Sequence, residues 1–142
     1  KADKMLTFTI STAKNGFGEK EGSFQTPRGL HRVCAKFGDD LPENAVLVGR
    51  KPTGEIYTPE LAQKDLKRTW VLTRILWLEG LEPGKNQGAD VDSRARYIYI
   101  HGAPDEKMAA KAGSIGCVNM NNADVIDLYE LVEVGDNVLI EV

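Results

Sequence analysis

The chain has 142 residues, 18 basic against 21 acidic side chains, a net charge of −3 and a hydrophobic fraction of 42%. That size and apolar content fit one folded domain, 1–142, and exclude a disordered chain, while the mildly acidic balance argues against a nucleic-acid binder. Two cysteines and two histidines, at 34, 117, 31 and 101, are too few for a disulfide-built scaffold and do not match a zinc-finger spacing.

Met5-Leu6-Thr7-Phe8-Thr9-Ile10 alternates apolar and polar residues and predicts a half-buried strand. Residues 14–22 hold three glycines and read as a loop. Thr26-Pro27-Arg28-Gly29 reads as a tight turn. Residues 30–37 form a plausible strand carrying His31 and Cys34, and 38–59 form a long polar excursion with a short strand at 45–48. Pro59 suits a first helical turn, so a helix is expected over 59–68. Residues 69–78 are the most β-prone run, with Trp70, Leu72, Arg74 and Leu76 on one face and Val71, Ile75 and Trp77 on the other.

Residues 80–94 read as a loop, followed by a strand over 96–101 with Ile98 and Ile100 on one face and Tyr97, Tyr99 and His101 on the other. A Gly- and Ala-rich connection leads to Ser114-Ile115-Gly116-Cys117-Val118-Asn119-Met120. A helix is expected from about 122, capped by Asn121 or Asn122, with Val125, Leu128, Tyr129 and Val132 as its apolar stripe. A last strand is expected over 138–142. Six strands against two short helices predict a mainly β domain with helical decoration. No run reaches the ~18 apolar residues needed to span a bilayer. The chain begins at Lys1 without a signal-peptide pattern, so an addressing or anchoring segment is expected to precede it.

Cys117 follows a glycine, which permits a sharp turn and close approach of a substrate. A free thiol is only a few per cent ionised near neutral pH and needs a base, which the imidazole of His101 can supply as proton acceptor or ion-pair partner. Successive N–H groups in a glycine turn can converge on a developing oxyanion. By spacing alone, Cys117 reads more readily as a small buried hydrophobe than as a nucleophile.

His101-Gly102 followed by Ser114-x-Gly116-Cys117-Val118 resembles the signature of the YkuD-type L,D-transpeptidases, and Thr26-Pro27-Arg28-Gly29 resembles a turn of the same family. The run from Thr73 to Gly84, Val91-Asp92-Ser93 and the stretch from Arg96 to Gly102 look like the envelope enzymes of Gram-negative bacteria. The resemblance covers almost the whole chain. It implies a β-sandwich or open barrel with a few short helices, acting on peptidoglycan tetrapeptide stems through a cysteine thioester.

In that scheme D-Ala is released and the acyl group passes to an amine: another stem, a D-amino acid or a lipoprotein lysine. Water in place of the amine would give a carboxypeptidase or endopeptidase. The resemblance makes Cys117 the nucleophile, His101 the base, Gly116 the shaper of the oxyanion turn and Ser114 its brace. Tyr99, Gly102, Asn119 and Arg96 are the candidate substrate contacts. No metal or organic cofactor is implied, and a periplasmic or envelope monomer is expected. Two positions depart from the common pattern: Ile115 stands where many members have His, and Asn119 where many have Arg. These departures motivate a further alternative, a wall-binding module without catalysis. Cys34 and His31 read as scaffold, with no Cys34–Cys117 disulfide expected in the resting state.

Overall fold

The computed structural model describes residues 5–141. Its strands are β1 (Ile10–Ser11), β2 (Gly29–Phe37), β3 (Ala45–Val48), β4 (Lys51–Ile56), β5 (Val71–Gly80), β6 (Tyr99–Gly102), β7 (Val118–Met120) and β8 (Asn137–Ile140). Three short α-helices, α1 (Pro59–Gln63), α2 (Asp105–Ala110) and α3 (Asn122–Leu131), lie between them. The eight strands make one curled sheet, an open half-barrel, in the order β1-β7-β6-β5-β2-β8, with β3 joining β5 and β4 joining β3. Pairing is antiparallel except between β6 and β7. Among the described residues no helix is long and apolar enough to cross a membrane.

The β5 strand is the spine. One edge pairs with β6, and the other is shared by β3 at Val71–Leu72 and β2 from Ile75 onward. The β5–β6 register slips between Leu72 and Ile75, where Thr73 takes a φ of 72°. This bulge lets the Thr73 hydroxyl donate to Asn122 Oδ1 at 2.7 Å and accept from the Asn44 N–H at 2.9 Å. It also divides the expected face. Leu72 packs with Val46, Tyr57 and Trp70, whereas Leu76 and Leu78 pack beneath α3. Val71, Ile75 and Trp77 remain together on the other side.

The α3 helix buries Val125 and Tyr129 against Val33, Leu76, Leu78, Ile98, Ile100, Val118 and Met120. Each fully buried side chain of this kind contributes ~1.5–3 kcal/mol. Asn121 occupies the N-cap position, but its amide donates to Asp124 Oδ2 at 3.4 Å instead of capping through an oxygen.

Several expected boundaries move. Of the first strand predicted over 5–10 only Ile10 pairs, together with Ser11 beyond it, and the helix expected over 59–68 ends at Gln63. The strand expected from 96 starts at Tyr99, because Tyr97 takes a φ of 58° within a turn. Val142, assigned to the last strand, lies outside the described residues. The sequence reading lacks β4, an exposed edge ribbon where Pro52 is tolerated. It also lacks α2, which forms within the Ala-rich connection.

Candidate active site

The parallel register sets Ile100 beside Val118, His101 beside Asn119 and Gly102 beside Met120. Side chains alternate along each strand. Ile100, Val118 and Met120 therefore enter the core under α3, while Tyr99, His101, Cys117 and Asn119 share the opposite face. On that face lies a cavity of about 350 Å³, lined by Tyr99, His101, Ser114, Cys117 and Asn119 together with Trp70 and Phe24.

His101 is 4% exposed. Its Nδ1 lies 2.7 Å from the Gly102 carbonyl oxygen, which can only accept, so Nδ1 carries the proton. Nε2 is left with its lone pair and has no hydrogen-bond partner among the described residues. Burial pushes the imidazole down to about 4, and it is neutral at physiological pH.

Cys117 Sγ accepts a hydrogen bond from the Tyr99 N–H at 3.4 Å and lies 3.5 Å from the Tyr97 carbonyl oxygen. Burial pushes its thiol up to about 11, against a smaller opposing pull from the Tyr99 N–H and the Arg96 charge. At neutral pH Cys117 is thus a thiol and His101 a neutral imidazole. Both cysteines are free.

The turn before Cys117 is clamped twice. Ser114 Oγ accepts from the Gly116 N–H at 3.1 Å and donates to the Cys117 carbonyl. Thr26, fully buried, donates to the Gly116 carbonyl at 2.8 Å and accepts from the Ala13 N–H at 2.9 Å. Gly116 has a φ of 137°, and a Cβ there would lie 3.3 Å from both the Gln25 carbonyl oxygen and Ile98 Cδ1. Thr26 of the Thr-Pro-x-Gly segment, remote in sequence, therefore helps hold the turn before Cys117.

Ser114, Tyr99, Asn119, His101 and Cys117 come together in the cavity; Gly102 and Arg96 do not line it. Gly102 is packed so tightly that a Cβ would fall 2.3 Å from Asn122 Oδ1 and 2.7 Å from the Leu72 carbonyl oxygen. Its observed contact is the carbonyl that orients His101. The Arg96 guanidinium donates to the Glu19 carbonyl at 3.1 Å and the Gln25 carbonyl at 2.7 Å, holding the 18–25 loop. Arg96 and Cys117 instead share a second cavity of about 380 Å³, which Glu21, Tyr97 and Ile115 also line.

Asn119 Oδ1 is buried without a hydrogen-bond partner among the described residues. Arg74 is buried and donates to the Leu41 and Thr73 carbonyls, each at 2.8 Å. The Tyr99 hydroxyl accepts from Arg50 at 3.0 Å. Sequence reasoning missed Lys14 and Lys107 at the cavity wall. Nothing local marks them, since each is a common surface residue brought there by tertiary folding.

A model of the YkuD family, described as an L,D-transpeptidase catalytic domain, matches residues 1–140. No curated protein sequence matches the chain. Among solved structures, L,D-transpeptidase 3 from Mycobacterium tuberculosis, in complex with a faropenem-derived adduct, is 16% identical with a TM-score of 0.52; the match covers 95% of this chain and 44% of that one. An L,D-transpeptidase from Mycobacterium smegmatis is 20% identical with a TM-score of 0.49, over 97% of this chain and 49% of that one. The chain thus spans less than half the length of these neighbours.

Proposed function

The chain belongs to the YkuD L,D-transpeptidase catalytic-domain family, and from that premise we propose that it is a cysteine acyltransferase acting on peptidoglycan tetrapeptide stems. The observation that carries this reading is that Cys117 lines one cavity with His101, an imidazole whose Nδ1 is held by a backbone carbonyl and whose Nε2 has no hydrogen-bond partner among the described residues. His101 Nε2 takes the thiol proton as Sγ attacks the stem carbonyl. The Tyr99 N–H already aimed at the sulfur stabilises the developing thiolate. Because the Gly116 N–H is engaged by Ser114, the oxyanion falls to the Cys117 N–H.

Collapse of the tetrahedral centre breaks the bond to the terminal D-Ala nitrogen, which receives the proton from His101. A thioester remains on Cys117. An incoming amine then gives its proton to His101, attacks the thioester and regenerates the thiol. The unpartnered Asn119 Oδ1 is an acceptor that an N–H of the bound stem would satisfy. Arg96 and Gly102 enter as positioning residues. The substrate places this chemistry in the periplasm or cell envelope.

The test is incubation with purified tetrapeptide muropeptides, read by mass spectrometry, beside an intact-mass search for a faropenem adduct. The expected result is D-Ala release with cross-linked dimers or exchanged monomers, and an adduct on Cys117 that disappears in Cys117→Ala. Shortened monomers alone would make the enzyme a hydrolase. No adduct, together with unchanged activity in Cys117→Ala, would overturn the reading.

A further inference from the structure

The two cavities that meet at Cys117 carry different charge. The wall of the His101 cavity contains Lys14 and Lys107 and no carboxylate. The other cavity contains Glu21 and Arg96, whose guanidinium is engaged by backbone carbonyls, and His101 does not line it.

The chemistry decides which cavity receives the reacting amine. In acyl transfer through a thioester, the same imidazole gives a proton to the leaving nitrogen and takes one from the entering nitrogen. Both nitrogens must therefore occupy one place beside His101 Nε2, and that place is the cavity with the two lysines. The leaving nitrogen of a terminal D-residue carries a carboxylate on its adjacent carbon. An anion so close to the thiol is best held by a cation within reach.

We propose that Lys107 binds the carboxylate next to the reacting nitrogen, and so selects acyl acceptors whose amine bears an adjacent carboxylate over isolated amines such as a protein lysine side chain. The assignment rests on the acyl-transfer reading above. Lys107 lies on α2, which is tied down by a hydrogen bond from the Tyr57 hydroxyl to Glu106. Its ammonium makes no hydrogen bond or ion pair among the described residues, and its charge is felt at His101. Lys14 shares the wall from a separate loop.

Transfer from a tetrapeptide stem to a free D-amino acid, compared with transfer to the same D-amino acid as its amide, tests this assignment. The full chain should prefer the carboxylate acceptor by about tenfold or more in kcat/KM, the scale of one charge-assisted contact. Lys107→Gln should lose that preference by slowing transfer to the carboxylate acceptor more than transfer to the amide, Lys107→Arg should restore it, and Lys107→Glu should reverse it. A preference unchanged in Lys107→Gln, or lost instead in Lys14→Gln, overturns the assignment while faropenem acylation of Cys117 persists. Absence of both acylation and transfer in the unmodified chain overturns the acyl-transfer reading and the assignment with it.

Discussion

Two buried histidines sit in two parts of the sheet, and only one of them is equipped for chemistry. His31 on β2 is fully buried, with Nδ1 3.0 Å from the Gly29 carbonyl oxygen and Nε2 2.8 Å from Ser93 Oγ. Each of its nitrogens has a partner, so the ring is a fixed polar strut. His101 on β6 is almost as buried, but only Nδ1 is held and Nε2 borders the cavity with Cys117. Burial lowers the basicity of both rings. Burial therefore does not distinguish the two rings; the nitrogen without a partner among the described residues does.

Replacing each ring by an amide separates them most sharply. His101→Gln should lower D-Ala release by about 10²–10⁴-fold, the usual contribution of a positioned general base, with the chain still folded. His31→Gln should leave kcat near its original value but lower stability by roughly 1–3 kcal/mol, because the Gly29 carbonyl and Ser93 hydroxyl lose a well-placed partner. Steady-state turnover and urea unfolding on both variants check this. A His31 variant that is inactive yet fully stable would erase the distinction.

Acid should affect both regions through stability. Above pH 6.5, the ordinary value for histidine, His101 is neutral in both folded and unfolded chains, and it contributes no pH dependence. As pH falls from 6.5 towards about 4, the unfolded chain binds a proton that the buried ring refuses, and stability declines. The loss from His101 is on the order of 3 kcal/mol across that window. His31 shifts in the same direction. Glu19, held low by Arg28, and Glu55, held low by Arg68, lose their contributions only below their ordinary 4.5, so unfolding measured between pH 7.5 and 5 isolates the imidazoles. His101→Gln should reduce that dependence to the part that His31 contributes. A profile already flat in the unmodified chain would contradict a buried neutral ring.

Local pattern made part of this contrast legible. Alternation along residues 97–101 places Tyr99 and His101 on one face because strand period is a short-range property, and the Ser-x-Gly-Cys turn draws attention to Cys117 through its family resemblance. The partner of each histidine is a long-range property. Nothing near His31 announces Ser93, and nothing near Gly116 announces Thr26, ninety positions away. The Thr73 bulge is equally hidden. A β-branched residue at positive φ is locally unfavourable, and it is held there by Asn44 and Asn122 from other elements. The exposed, Pro-containing β4 ribbon and the Ala-rich α2 carry no strong apolar period, so their existence and the placement of Lys107 depend on the folded sheet.

The smallest expected effect sharpens the comparison through two serines. Ser93 supports His31 from the side, and Ser114 braces the Cys117 turn through the Gly116 N–H and the Cys117 carbonyl. Removing either hydroxyl leaves buried partners unsatisfied and should cost about 1–2 kcal/mol of stability. The consequences for activity should differ. Ser93→Ala disturbs a ring that no reacting atom touches, so turnover should change less than twofold. Ser114→Ala frees the Gly116 N–H and loosens the backbone that aims Sγ, while Thr26 still holds the Gly116 carbonyl. Turnover should therefore fall by roughly tenfold, the scale of a small positioning error, without reaching the loss expected for His101→Gln. Faropenem acylation rates on the two variants, measured beside their unfolding midpoints, distinguish these outcomes. Equal stability losses with equal activity losses would mean that the turn is held by Thr26 alone.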